Sequence, residues 1–126
     1  MNIYARWLFG IAAVFNILVA AALLFAQPWL APRLGLDPIS GTNLVLVNFA
    51  GTMIGLFGYG YFRIARDPAR FRPLIHYSAI GKLLAVGAAV WPWLAGAIGA
   101  TIPLIMSGDI VLALLFFDYL RRTADR

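Results

Sequence analysis

The chain of 126 residues contains no cysteine, no glutamate and a single histidine, His76. Without cysteine there is no disulfide, no thiol redox chemistry and no sulfur-ligated zinc or iron–sulfur site within one chain. A haem held by two histidines would need a second subunit, so no cofactor is expected. Charge is equally scarce. Charged residues make up 12% of the chain and hydrophobic ones 63%, against about 25% and about 45–50% in an ordinary soluble domain. With a mean hydropathy of +0.86, the chain is composed for a lipid solvent rather than for water.

What is present is a set of long apolar runs. A helix crosses a hydrocarbon core of about 30 Å with about 20 residues at about 1.5 Å each. Four such windows fit, over residues 7–26, 43–62, 74–91 and 97–120. They predict an all-α, four-helix transmembrane bundle that forms a single membrane domain over residues 1–126, its connectors too short for a soluble module. Arg6 ahead of the first run gives the N-terminus the look of a signal peptide. The run is too long for a typical h-region and no cleavage box precedes Pro28, so it reads as the first helix.

The nine arginines set an orientation. Arg6, Arg63, Arg66, Arg70, Arg72, Arg121, Arg122 and Arg126 fall on one side of the four windows, and only Arg33 falls on the other. This eight-to-one bias predicts both termini in the cytoplasm. The net charge of +5 is then a topology signal and not a nucleic-acid surface. Arg63, Arg66, Arg70 and Arg72 are candidates for anionic lipid headgroups, beside the plainer reading of a solvated basic loop.

The connectors differ. The first, QPWLAPRLGLDPISGT, holds Pro28, Pro32, Pro38, Gly35 and Gly41 and cannot be helical throughout. It reads as an interfacial lid with its apolar residues down, or as the lining of a ligand entrance. In the second, Asp67 and Pro68 form an N-cap and first-position pair that predicts a short helical turn. Trp91 and Trp93 mark the outer boundary and Tyr59, Tyr61 and Tyr119 the inner one, as aromatic belts do.

Gly51, Gly55 and Gly58 stand at helical spacing on the second span, a face where another backbone can approach closely. Its partner is a helix of the same chain or a second copy. Polar residues inside the spans are the other signal. Counted from the cytoplasmic ends, Asn16 is about 15 Å deep, Lys82 about 13 Å and Asp109 about 15 Å, with Thr52 at a similar level. A lone charge at a helix centre costs about 2.5–3.5 kcal/mol on insertion scales, so two opposite charges at one depth are most simply read as facing each other.

That pair has three readings: a salt bridge that fixes helix register, a proton, ion or substrate site, or no pair at all, with Lys82 snorkelling and Asp109 protonated. His76 reads as an interfacial histidine or a titrating switch. Asp118 is half a turn out of phase with Asp109 and is expected to meet a loop arginine. Asn48 is expected to hydrogen-bond between helices.

The run GYGYFRIARDPARFRPLIHYSAIGKLLAV, followed by GDIVLALLFFDYLRR, resembles small bacterial four-helix membrane proteins of the DoxX-like group. The resemblance covers roughly residues 48–122 and rests on Gly58, Tyr59, Asp67, Pro68, Arg70, Gly81, Lys82, Gly108 and Asp109. It implies a four-helix fold in a bacterial inner membrane and carries no activity with it. Three functions fit the chain: a non-catalytic accessory subunit or small-molecule- or lipid-binding bundle, a small transporter or proton-coupled carrier using Asp109 and Lys82, and an intramembrane lipid-modifying enzyme. The first is preferred, because the residues most chemistries need are missing. The expected partners are the bilayer, anionic lipid headgroups, and a second copy or another membrane subunit.

Overall fold

A computed structural model describes residues 3–125. Arg126, counted above in the basic tail, lies outside the described residues. The described chain is all-helical: α1 (Ile3–Phe25), α2 (Gln27–Arg33), α3 (Thr42–Arg66), α4 (Arg72–Leu94) and α5 (Thr101–Arg122). Four of these, all but α2, are long and apolar enough to cross a membrane. The chain divides into two compact units, one ending at Arg70 and one beginning at Phe71, and each is a pair of long helices packed side by side.

The helices overrun the apolar windows because hydropathy marks the lipid core, whereas backbone hydrogen bonding continues into the interface. Arginine is a good helix former and is favoured in a last turn, so α3 runs on through Arg63 to Arg66. At its start α4 takes Arg72 and Pro73, proline being tolerated where no intrahelical N–H is needed. It continues past Trp91 to Leu94, with Pro92 inside its last turn. The last span starts at Thr101 rather than at residue 97 because the preceding residues complete a helix stop. Gly96 adopts φ +77°, and its N–H and that of Ala97 bond Trp93 O at 3.0 Å and Pro92 O at 2.9 Å, a Schellman closure.

The same closure ends α2, a short helix within the connector expected not to be helical throughout. Gly35, at φ +67°, and Leu36 send their N–H groups to Pro32 O at 3.4 Å and Ala31 O at 2.8 Å. Arg33 folds back along this short helix, donating to Trp29 O at 2.8 Å with its guanidinium 3.9 Å above the indole. Asp67 and Pro68 open the expected turn, which leads into α4. The Asp67 carboxylate accepts from the Arg70 N–H at 3.3 Å, and α4 begins only at Arg72.

In the first unit α1 and α3 run antiparallel, and the glycine face of α3 is what α1 lies against. A Cβ built on Gly51 would meet Leu24 at 3.0 Å, one on Gly55 would meet Ala20 at 3.3 Å, and one on Gly58 would meet Ile17 at 2.9 Å and Asn16 at 3.1 Å. The small residues let the two backbones approach, which is where helices gain dispersion in lipid. The partner of this face is therefore a helix of the same chain. In the second unit α4 buries Ile75, Ser78, Ala79, Lys82, Val86 and Ala89, a stripe at helical spacing, toward α5. On α5 the buried residues are Pro103, Ala113, Phe116 and Tyr119. Tyr61 and Tyr119 are thus core residues, 2% and 6% exposed, and only Tyr59 of the expected inner belt is at the surface.

Candidate functional site

The charged pair forms. Lys82 lies near the middle of α4 and Asp109 near the middle of α5, and Nζ donates to Asp109 Oδ1 at 2.7 Å. The side chains are 7% and 18% exposed, so neither group points outward. The local sequence explains the closeness. Lys82 occupies the buried stripe of α4, one turn beyond Ser78 and Ala79, whose small side chains allow close approach to α5. Ionised donor and acceptor at this distance make a charge-assisted hydrogen bond, and in a low-dielectric surrounding each charge depends on the other.

Sequence reasoning undervalued Ser78. It is 1% exposed, and its hydroxyl has no hydrogen-bond partner among the described residues. The signal was available, since Ser78 precedes Lys82 by four residues and shares its face. On Asp109 the lysine occupies Oδ1 alone.

The other expected members of the polar layer belong to the first unit and make hydrogen bonds within it. Asn16 is buried between α1 and α3, where its Nδ2 donates to Ile54 O at 3.1 Å. Gly58, one turn after Ile54, has no side chain to cover that carbonyl, so the amide reaches it. Thr52 does not turn inward. It is exposed and donates back to Asn48 O on its own helix at 2.8 Å, the usual retreat of a hydroxyl without an interhelical acceptor. Asn48 is exposed and its side chain makes no hydrogen bond among the described residues, against the expected interhelical role.

The four arginines proposed for headgroups separate into two kinds. Arg63, Arg66 and Arg70 are exposed at the end of the first unit; Arg63 donates to the Tyr59 hydroxyl at 2.9 Å, and Arg66 lies 5.8 Å over the Phe62 ring. Arg72 is a clamp instead. Its guanidinium donates to Leu120 O at 3.0 Å, to Thr123 O at 3.2 Å and to the Thr123 hydroxyl, tying the start of α4 to the end of α5. Those carbonyls have no intrahelical donors, so a fork of N–H groups satisfies several at once. Asp118 pairs within its own helix, with Arg122 at 2.8 Å and Arg121 at 3.6 Å, rather than with a loop arginine. His76 is exposed, its ring edge-on to Phe117 at 6.1 Å.

Among the described residues no cluster of three potential metal ligands forms. The arrangement defines a helical chain of membrane-spanning type with one buried, hydrogen-bonded ion pair. No family model, curated protein or solved structure matches the chain.

Proposed function

We propose that this chain is a multi-pass protein of a bacterial inner membrane, both termini cytoplasmic, acting without catalysis as an accessory subunit or a small-molecule- or lipid-binding bundle. In this reading the Lys82–Asp109 pair locks the register of α4 against α5. The carrying observation is the 2.7 Å contact between two well-covered groups, a geometry suited to holding two helices together. The arginine asymmetry supports the orientation. Within each unit the basic termini share one end: Arg6 lies with Arg63 and Arg66, and Arg72 with Arg121 and Arg122.

A carrier is the second reading, favoured by one observation: the unpartnered Ser78 hydroxyl is buried one turn before Lys82, the residue that holds the Asp109 carboxylate. Reconstitution separates the two. Liposomes containing the purified protein are expected to leak protons and ions at the rate of empty ones, with Asp109→Asn indistinguishable from the parent. A flux that the parent supports and a folded Asp109→Asn variant abolishes would replace the first reading with the second.

A further inference from the structure

The outer face of α1 is furrowed. Opposite the stripe that packs on α3, the residues from Ile3 to Leu18 bound a groove of about 740 Å³ that is apolar except for Arg6 at one end. Such a volume lies within the roughly 300–1,000 Å³ of ordinary ligand sites. Its floor is Gly10, where an added Cβ would meet nothing within 4 Å. Its sides are Trp7, Val14 and Leu18, 68%, 60% and 65% exposed.

The dimensions and the charge name the occupant. From Arg6 to Leu18 the furrow runs about 18 Å at about 1.5 Å per residue. One leaflet of hydrocarbon is about 15 Å deep, half of a core of about 30 Å. A cation at the mouth and an uninterrupted apolar floor below it match an acyl chain under a negatively charged headgroup. Arg63, Arg66 and Arg70 stand at the same end of the α1–α3 pair and add to the positive field there. We propose that this furrow is a binding site for one anionic phospholipid, an acyl chain lying over Gly10 along α1 and the phosphate held at Arg6. The site rests on the membrane placement proposed above and is independent of the role of Lys82 and Asp109.

Native mass spectrometry of the full chain in mild detergent tests it, with phosphatidylglycerol and phosphatidylcholine of equal chain length as probes. The parent is expected to retain one phosphatidylglycerol in preference to phosphatidylcholine. Arg6→Gln removes the preference, a loss of about fivefold for one basic residue near the surface. Gly10→Leu fills the floor and expels both lipids while thermal stability stays at the parent's value, since no neighbour is displaced. Arg33→Gln, at the far end of the first unit, changes neither. Equal retention of the two lipids by the parent would overturn the proposal, as would unchanged retention in Gly10→Leu. A Gly10→Leu variant that altered the number of chains per particle and not the lipid bound would show the furrow to be a self-association face instead. Failure of the membrane placement reads out separately, as release of the protein from membranes by alkaline carbonate.

Discussion

Replacing Lys82 with Met, or Asp109 with Leu, leaves the other charge, at 18% or 7% exposure respectively, with its close partner gone. Breaking a buried pair by removing one partner costs about 3–5 kcal/mol, because the remaining charge is left without compensation. Polar contacts between membrane helices in general average only about 0.6 kcal/mol, so the prediction is specific to a pair of charges. Reversible unfolding in mixed micelles, followed by helicity, is expected to show each single variant about 3–5 kcal/mol less stable than the parent. The double variant Lys82→Met/Asp109→Leu recovers most of that, since two apolar side chains of similar volume replace the pair without an orphan. Single variants as stable as the parent, or a double variant whose loss equals the sum of the two, would refute the register role.

Gly58→Ala forces a Cβ to within 2.9 Å of Ile17 and 3.1 Å of Asn16, and is expected to lose about 1–3 kcal/mol in the same unfolding assay. Ser78→Ala removes a buried hydroxyl without a partner and is expected to be neutral or stabilising, an unmet polar group costing about 1–3 kcal/mol; a loss above about 1 kcal/mol would mean that the hydroxyl is engaged. Arg72→Met uncaps the end of α5, so hydrogen exchange from Tyr119 to Thr123 should accelerate while exchange in α1 does not change. Asp118→Asn breaks only exposed pairs along one helix, and a stability change beyond about 1 kcal/mol would contradict that assignment.

The sequence carried the features that a single dominant force decides. Apolar length marked the four long helices, because nothing but lipid exposure rewards runs of that kind. Lys82 and Asp109 were legible as a pair because they alone among the charged residues stand far from the ends of their apolar runs, where an unpaired charge is expensive. The glycines of α3 were legible as a contact face, although only the structure shows that α1 fills it. Features that depend on which ends abut were hidden. Arg72 reads as one more basic loop residue until the start of α4 is seen beside the end of α5. Tyr61 and Tyr119 read as interfacial from their distance to the helix ends, yet their phase along α3 and α5 turns them inward. Thr52 is exposed, and its hydroxyl takes a local acceptor on its own helix that the sequence did not single out. The α2 turn was obscured by prolines, one of which stands at a helix start where it does no harm.

Lys82 is the sole lysine of the chain, so nitrogen-15 placed in lysine side chains labels a single site without assignment. Solid-state NMR on the protein in bilayers, measuring dipolar coupling from that nitrogen to carbon-13 in aspartate carboxyl groups, reports directly on the contact. A strong coupling corresponding to an Nζ–Oδ1 separation of 2.7 Å, abolished by Asp109→Leu, is the expected result. A lysine nitrogen that shows no coupling to any carboxyl carbon, or one that keeps its coupling in Asp109→Leu, would contradict a pair joining α4 to α5.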